Sequence, residues 1–401
     1  MGAIAIFDPE EHEQLAGEPW NEDIARAFVE RIVREADGAY DDDRGWPLHP
    51  EDRETPEDEP YHGVYFGRAG TMWALVHLAK IYGIALRNDY AAGIARCEER
   101  YRANPVETET AVPSYFFGTV GIMAARYAIT GDRRVLDRMG IDMLTNVGNP
   151  VREALWGSPG TALAALLVRE RNEDDRYDDL LRAVQHELWA TWEPAGREGG
   201  LLWEQDLYGE RRHLVGAAHG AIGNLAPLIR ALDLLSPERR ETLRSRIPAM
   251  LEEYVLRDGN AANWPSRGYP REGNRMQWCH GSPGVITGLA GYPTDDERVE
   301  RLLIEGGEGI WRAGPLRKGP TLCHGTAGNG FALLRLATRT NDERWRSRAE
   351  RFAMHAIGQV NAWRQEFGMP SFSLWTGDLG VALYVDAVLR NDPAVLTLDV
   401  M

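Results

Sequence analysis

The chain has 401 residues, 43% hydrophobic and 26% charged, a composition that supports one large buried core or a few ordinary domains. A net charge of −16 weighs against a nucleic-acid backbone or an anionic membrane surface as the main partner. Three cysteines make no disulfide framework, no apolar run approaches the roughly 18 residues of a membrane span, and the opening MGAIAIFDPEEHE lacks a secretory signal. A soluble cytoplasmic protein is the expectation.

In chain order, residues 1–60 read as one amphipathic helix, NEDIARAFVERIVREA, and an acidic loop, EDRETPEDEP. They are expected to lead into the main domain, residues 61–401, and to be too short for a second enzyme. Then comes YFGRAG (Gly67, Gly70), followed by the apolar TMWALVHLAKIYGIAL. Cys97, in AAGIARCEERY, reads as a small hydrophobe on an outer helix. FFGTVG (Gly118, Gly121) and LWGSPG (Gly157, Gly160) follow, the latter with Glu153 four residues before its first glycine and TALAALLVRE after it. An amphipathic stretch, YDDLLRAVQHELWATW, precedes AHGAIG (Gly220, Gly223) and the apolar NLAPLIRALDLL. CHGSPG (Gly281, Gly284) has Arg275 four residues before its cysteine, and CHGTAG (Gly325, Gly328) has Lys318 five before. The chain closes on ERWRSRAERFAMHAIGQV, WTGDLG (Gly377, Gly380) and VALYVDAVLR.

One unit therefore recurs seven times: an Arg- and Glu-rich amphipathic segment, a loop, Gly-x-x-Gly, and a strongly apolar segment. First-glycine spacings of 51, 39, 63, 61, 44 and 52 predict long variable loops on a repeated scaffold. The apolar segments read as helices buried on most sides, the charged ones as helices with a single apolar stripe, and strand-like alternation is scarce. An all-α fold follows, an α/α toroid in which seven inner helices sit inside seven outer ones. The glycines would crowd at one end of the ring, allowing close backbone approach and positive φ. The inner-helix N-termini would present unpaired N–H groups and a positive dipole end toward that mouth.

If the repeats are equivalent, the residue before each first glycine points into the common mouth. That register gathers Cys279, His280, Cys323 and His324, with His219 from the fourth repeat. Two thiolates and one imidazole are a zinc set with a fourth position open, and soft sulfur favours zinc over magnesium or calcium. Cys279, Cys323 and His324 form one such set; His280 and His219 are alternative third donors. Glu153 reaches the same mouth, although a carboxylate before a helix start commonly caps it. Arg275 and Lys318 add positive charge; Lys318 is one of only two lysines in the chain.

The segments VGAAHGAIG, WCHGSPGV, LCHGTAGNG and PSFSLWTGDLG resemble those of the lanthionine synthetase C-like family, the bacterial lanthipeptide cyclases and eukaryotic LanC-like proteins, over about Tyr65 to Asp386. The resemblance implies a seven-fold α/α toroid with catalytic zinc on Cys279, Cys323 and His324. The family's HG histidine falls on His219. Its acidic residue before the third repeat falls on Glu153, where cyclases generally carry Asp. The residue after the first cysteine, often Tyr in cyclases, is His280, as in LanC-like proteins. The cyclases' arginine falls on Arg275, and the lysine that touches glutathione in LanC-like proteins falls on Lys318. Their arginine before the seventh repeat has no match in register; Glu366 stands there, with Arg364 two residues away.

The chemistry so implied is conjugate addition of a thiol to dehydroalanine or dehydrobutyrine, giving a thioether. A metal makes thiolate the bound form of a thiol whose ordinary pKa is about 8.5. His219 or His280 would protonate Cα, Arg275 or helix N–H groups would stabilise the enolate, and Glu153 would orient a histidine. The expected partners are a dehydrated peptide or protein, made by a separate dehydratase, and glutathione or another small thiol; no nucleic acid and no membrane are expected. His280 and Lys318 lean toward addition of glutathione, Arg275 toward peptide cyclisation. The alternative is a non-catalytic toroid that binds peptide or glutathione.

Overall fold

Fourteen α-helices, among the described residues, fall into two alternating kinds. They are α1 (Glu22–Gly38), α2 (Arg68–Tyr82), α3 (Tyr90–Ala103), α4 (Thr119–Thr130), α5 (Arg134–Thr145), α6 (Ser158–Asn172) and α7 (Asp178–Ala190). The second half contains α8 (Ala221–Arg230), α9 (Pro237–Tyr254), α10 (Ser282–Leu289), α11 (Glu297–Ala313), α12 (Thr326–Thr340), α13 (Glu343–Phe367) and α14 (Asp378–Arg390). This computed structural model describes residues 4–53, 60–106, 108, 110–195 and 200–401. The acidic loop predicted at 51–60 lies outside the described residues at positions 54–59.

The even-numbered helices each start directly after the first glycine of a motif, and they are apolar on nearly every side. In α14 every residue from Asp378 to Val388 is buried. The odd-numbered helices bury one stripe: α1 buries Ala25, Phe28, Val29, Ile32, Val33 and Ala36, the i, i+3, i+4 spacing of a single face. Their starts differ as well. Asn21, Asp89, Ser236, Asp296 and Asp342 cap outer helices with side-chain oxygens, whereas every inner helix has a glycine cap with no such bond.

What replaces the missing caps is backbone. Arg68, Ala69 and Gly70 donate to the carbonyls of Tyr61, His62 and Gly63, and Thr326, Ala327 and Gly328 donate to Gly319, Pro320 and Thr321. The loop before each such helix thus folds over its own first turn. The expectation of unpaired N–H groups aimed at the mouth is corrected at these repeats, because the loop consumes the donors. The same fold-back accounts for the second glycine. A Cβ at Gly284 or Gly328 would drive into the carbonyl oxygen six residues earlier, that of Trp278 or Leu322. Of the fourteen motif glycines only Gly281, at φ 102°, has a positive φ, so close approach rather than left-handed backbone explains the motif.

Inner helices contact in sequence, α2 to α4 and onward to α14, and α14 returns to α2; the ring is closed. α1 packs on α14 and α2, and α13 packs on α12 and α14. The fold is an α/α toroid. Seven short strands, β1 (Glu193–Pro194), β2 (Leu201–Leu202), β3 (Gln205–Leu207), β4 (Glu210–Leu214), β5 (Leu256–Asp258), β6 (Ala261–Asn263) and β7 (Arg267–Tyr269), occupy the long spacers before the fourth and fifth motifs. All pairs are antiparallel; β4 pairs with β7 through His213 with Tyr269 and Leu214 with Arg267. That pairing ties together the two chain entries that carry His219 and His280. No helix among the described residues is long and apolar enough to cross a membrane.

Candidate metal centre and active site

Tyr65, Phe116, Leu155, Ala218, Cys279, Cys323 and Trp375 share one register, two residues before each first glycine. Backbone hydrogen bonds link much of this set into a belt. Cys279 N donates to the Cys323 carbonyl at 3.2 Å, Cys323 N to Trp375 at 3.0 Å, Trp375 N to Tyr65 at 2.9 Å, and Tyr65 N to Phe116 at 3.0 Å. The two cysteines, 44 positions apart in sequence, are neighbours because they are consecutive links of this belt.

Both cysteines are buried, and each lies close enough to shift the ionisation of the other. Cys323 donating to it, against the cost of burial, brings the Cys279 thiol down to about 7, with help from the charge on His219 and the Gln277 amide. Gln277 Nε2 donates to Cys279 Sγ at 2.8 Å. Burial, and then the neighbouring Cys279 sulfur, push Cys323 up. The pair titrates as a unit, one proton leaving near neutrality and the other held above the ordinary thiol range. Tyr65 adds a buried phenol whose ionisation is pushed up by burial and then by the charges of Cys323 and Cys279. Sequence reasoning missed Tyr65 and Gln277. Tyr65 could have been found, since it occupies the cysteine register of the first repeat; Gln277 carries no such signal.

Glu153 and His219 form a second unit. Glu153 is fully buried and accepts from Leu155 N at 3.0 Å, Trp156 N at 2.5 Å and His219 Nδ1 at 2.9 Å. It thus both caps its own loop and orients the histidine. The carboxylate accepts only, which fixes Nδ1 as the protonated ring nitrogen. Burial alone would lower the His219 pKa, but the hydrogen bond and charge of Glu153, with the Cys279 sulfur, outweigh it and raise the value. The His219 and His280 rings stand 6.0 Å apart, and Tyr208, at the β3–β4 turn, sets its ring edge-on to His219 at 6.4 Å.

His280 is pushed down to about 3 by burial and then by His219 and Arg275, and its Nδ1 is buried with no partner. His324 is pushed down to about 4 by burial and then by Lys318 and Arg275. Both are neutral imidazoles at pH 7, the form that donates to a metal. Arg275 and Lys318 are exposed at the rim. Arg364 is a different matter: it is clamped between Asp378, at 2.9 and 2.7 Å, and Glu35, at 2.5 Å, so it ties α14 to α1 rather than offering a free cation. Cys97 rests its sulfur on His62 in the core, away from the belt.

The donor types fit a zinc centre: two buried thiols on adjacent belt positions, one ionising near neutrality, beside imidazoles held neutral. Among the described residues no three of His, Cys, Asp and Glu are already grouped as a metal set.

Residues 61–399 match the profile of the lanthionine synthetase C-like protein family. The chain belongs to that family. Among relatives of this LanC-like protein, LanC-like protein GCL1 of Arabidopsis thaliana is 34% identical over 254 residues, covering 60% of this chain and 56% of that one. Glutathione S-transferase LANCL1 of Danio rerio is 31% identical over 208 residues, 47% of this chain and 44% of that one. The match thus spans about half the length of these curated relatives. The solved structure of nisin cyclase shares the fold, with a TM-score of 0.56 at 17% identity, over 92% of this chain and all of the other.

Proposed function

We propose that this LanC-like protein is a zinc-dependent enzyme that adds a thiol to dehydroalanine or dehydrobutyrine in a peptide or protein. One observation carries the reading: two buried cysteines, consecutive links of one backbone belt, lie beside a histidine whose acid form is stabilised by a buried carboxylate. Cys279, Cys323 and His324 would hold zinc, which when bound takes a substrate thiol as its thiolate. The new S–Cβ bond forms as the alkene electron pair moves toward the carbonyl. Protonated His219 then delivers a proton to Cα and regains one from solvent, which has taken up the proton released by the thiol; Glu153 holds its ring in place throughout. Arg275 and Lys318, unpaired among the described residues, give the rim two cations for substrate carboxylates or the enolate oxygen.

Of the two thiol classes, we favour glutathione or a similar small anionic thiol. Lys318 and His280 support it, and the Danio rerio relative carries the name of a glutathione S-transferase. The dehydrated substrate would come from a separate dehydratase, and the reaction would run in the cytoplasm. The test is incubation of the zinc-loaded protein with a dehydroalanine peptide and glutathione, read as the mass of the adduct. Adduct formation that disappears in Cys279→Ala and falls in His219→Ala supports the reading. Binding of the peptide with no adduct at any thiol concentration would instead make the toroid a binding module.

A further inference from the structure

We infer that the ring holds a second ligand site, on the far side of the backbone belt from the cysteines, which takes a small amphiphile with an apolar tail and a carboxylate. The reason for a space there is the length of two inner helices. α10 has 8 residues and α8 has 10, whereas α6 and α12 have 15 each. At about 1.5 Å per residue, the ring is roughly 7–10 Å short on that side. A cavity of about 340 Å³ lies beneath the short helices. Its walls are apolar, with Leu163, Ile222, Ile229 and Trp278 among them, while Thr287 and Gly288 keep α10 narrow.

The far end of the cavity is charged and covered by residues 391–401, which fold back into the ring. Tyr115 donates to the Thr397 carbonyl at 2.8 Å, Arg230 donates to the Leu398 carbonyl, and Arg335 pairs with Asp399. Two guanidiniums therefore meet two carboxylates. Arg230 is paired with Glu170 at 2.6 Å, and both are fixed on inner helices. Asp399 alone belongs to the returning segment. If it leaves, Arg335 loses its carboxylate partner and keeps the Thr287 carbonyl, at 2.7 Å. Arg335 Nε and Thr287 Oγ1 are already buried without partners, so this end has hydrogen-bonding capacity that Asp399 does not use. An apolar cavity with a few convergent polar groups is the usual form of a small-molecule site. The Asp399 carboxylate then acts as a built-in competitor, and the ligand's own carboxylate replaces it on Arg335.

At about 30 Å³ per water-sized group the volume suits about ten non-hydrogen atoms, the size of octanoate. Calorimetric titration of the full chain with octanoate and with 1-octanol needs neither zinc nor a thiol, so its outcome is independent of the proposed reaction. Octanoate should bind about tenfold more tightly than the alcohol. Asp399→Asn should tighten octanoate binding by about tenfold by removing the competitor. Ala226→Trp, which fills the cavity from a half-buried position on α8, should abolish it. A diazirine-bearing octanoate analogue, mapped by mass spectrometry on the unmutated chain, should label α8, α10 or residues 391–401. The site is overturned by absence of binding in both parent and Asp399→Asn, by equal affinity for acid and alcohol, or by label confined to other surfaces.

Discussion

Glu153 serves His219 and its own loop at once, and the two roles separate on substitution. Glu153→Gln keeps the volume but replaces one acceptor oxygen with a donor facing backbone N–H groups, and it removes the charge that raises the His219 pKa. The acid form of His219 then disappears at lower pH, so the alkaline limb of the rate profile should move down. The rate at pH 8 should fall by about a hundredfold. A profile that keeps its alkaline limb in the variant would remove His219 from the role of acid. The sulfurs predict a pH dependence of their own. With Cys279 near 7 and Cys323 raised, zinc binding below about pH 7 must expel two thiol protons, and above it one. His324, at about 4, contributes none. Zinc affinity, measured by chelator competition, should therefore rise about a hundredfold per pH unit from pH 5 to 6 and more gently above 7; affinity independent of pH would contradict it.

At the level of helices and loops, the second glycine of each motif is the most constrained residue type in the fold. Gly284→Ala and Gly328→Ala push a Cβ into a backbone carbonyl, and each should cost about 2–4 kcal/mol in chemical denaturation. Gly83 provides the contrast. It ends α2 at φ 63° with open space around it, so Gly83→Ala should cost only about 1 kcal/mol. Equal losses at the three sites would mean that the motif glycines serve conformation rather than close approach. This constraint is why the inner ring was legible in the sequence: steric need repeats Gly-x-x-Gly in phase with apolar helices. The spacers were not. β1 to β7 are strands of two to five residues, too short for an alternating pattern to register, and they account for the spacings of 63 and 61. The stretch NLAPLIRALDLL reads as one helix, but α8 stops at Arg230 and a 3₁₀ turn, Leu232–Leu234, follows.

Closure of the ring makes residues far apart in sequence depend on one another. The family profile begins at residue 61, yet α1 lies before it and fills the seam between α14 and α2. Phe28, Val29, Ile32 and Val33 are almost wholly buried there, worth about 6–12 kcal/mol together, comparable with the stability of a whole domain. We therefore count α1 as the first outer helix of the toroid. A chain starting at residue 61 should aggregate or melt far below the parent; an unchanged melting temperature would place α1 outside the cooperative unit. That Cys279 and Cys323 are neighbours was legible because the repeat register maps directly onto the belt. Which histidine would complete a metal set was not, because that depends on side-chain orientation rather than on repeat register. The most direct test is elemental analysis of the purified parent chain beside Cys279→Ala and Cys323→Ala. About one zinc per chain in the parent and almost none in either variant is the predicted result. A parent without zinc, or variants that keep a full equivalent, would contradict the account.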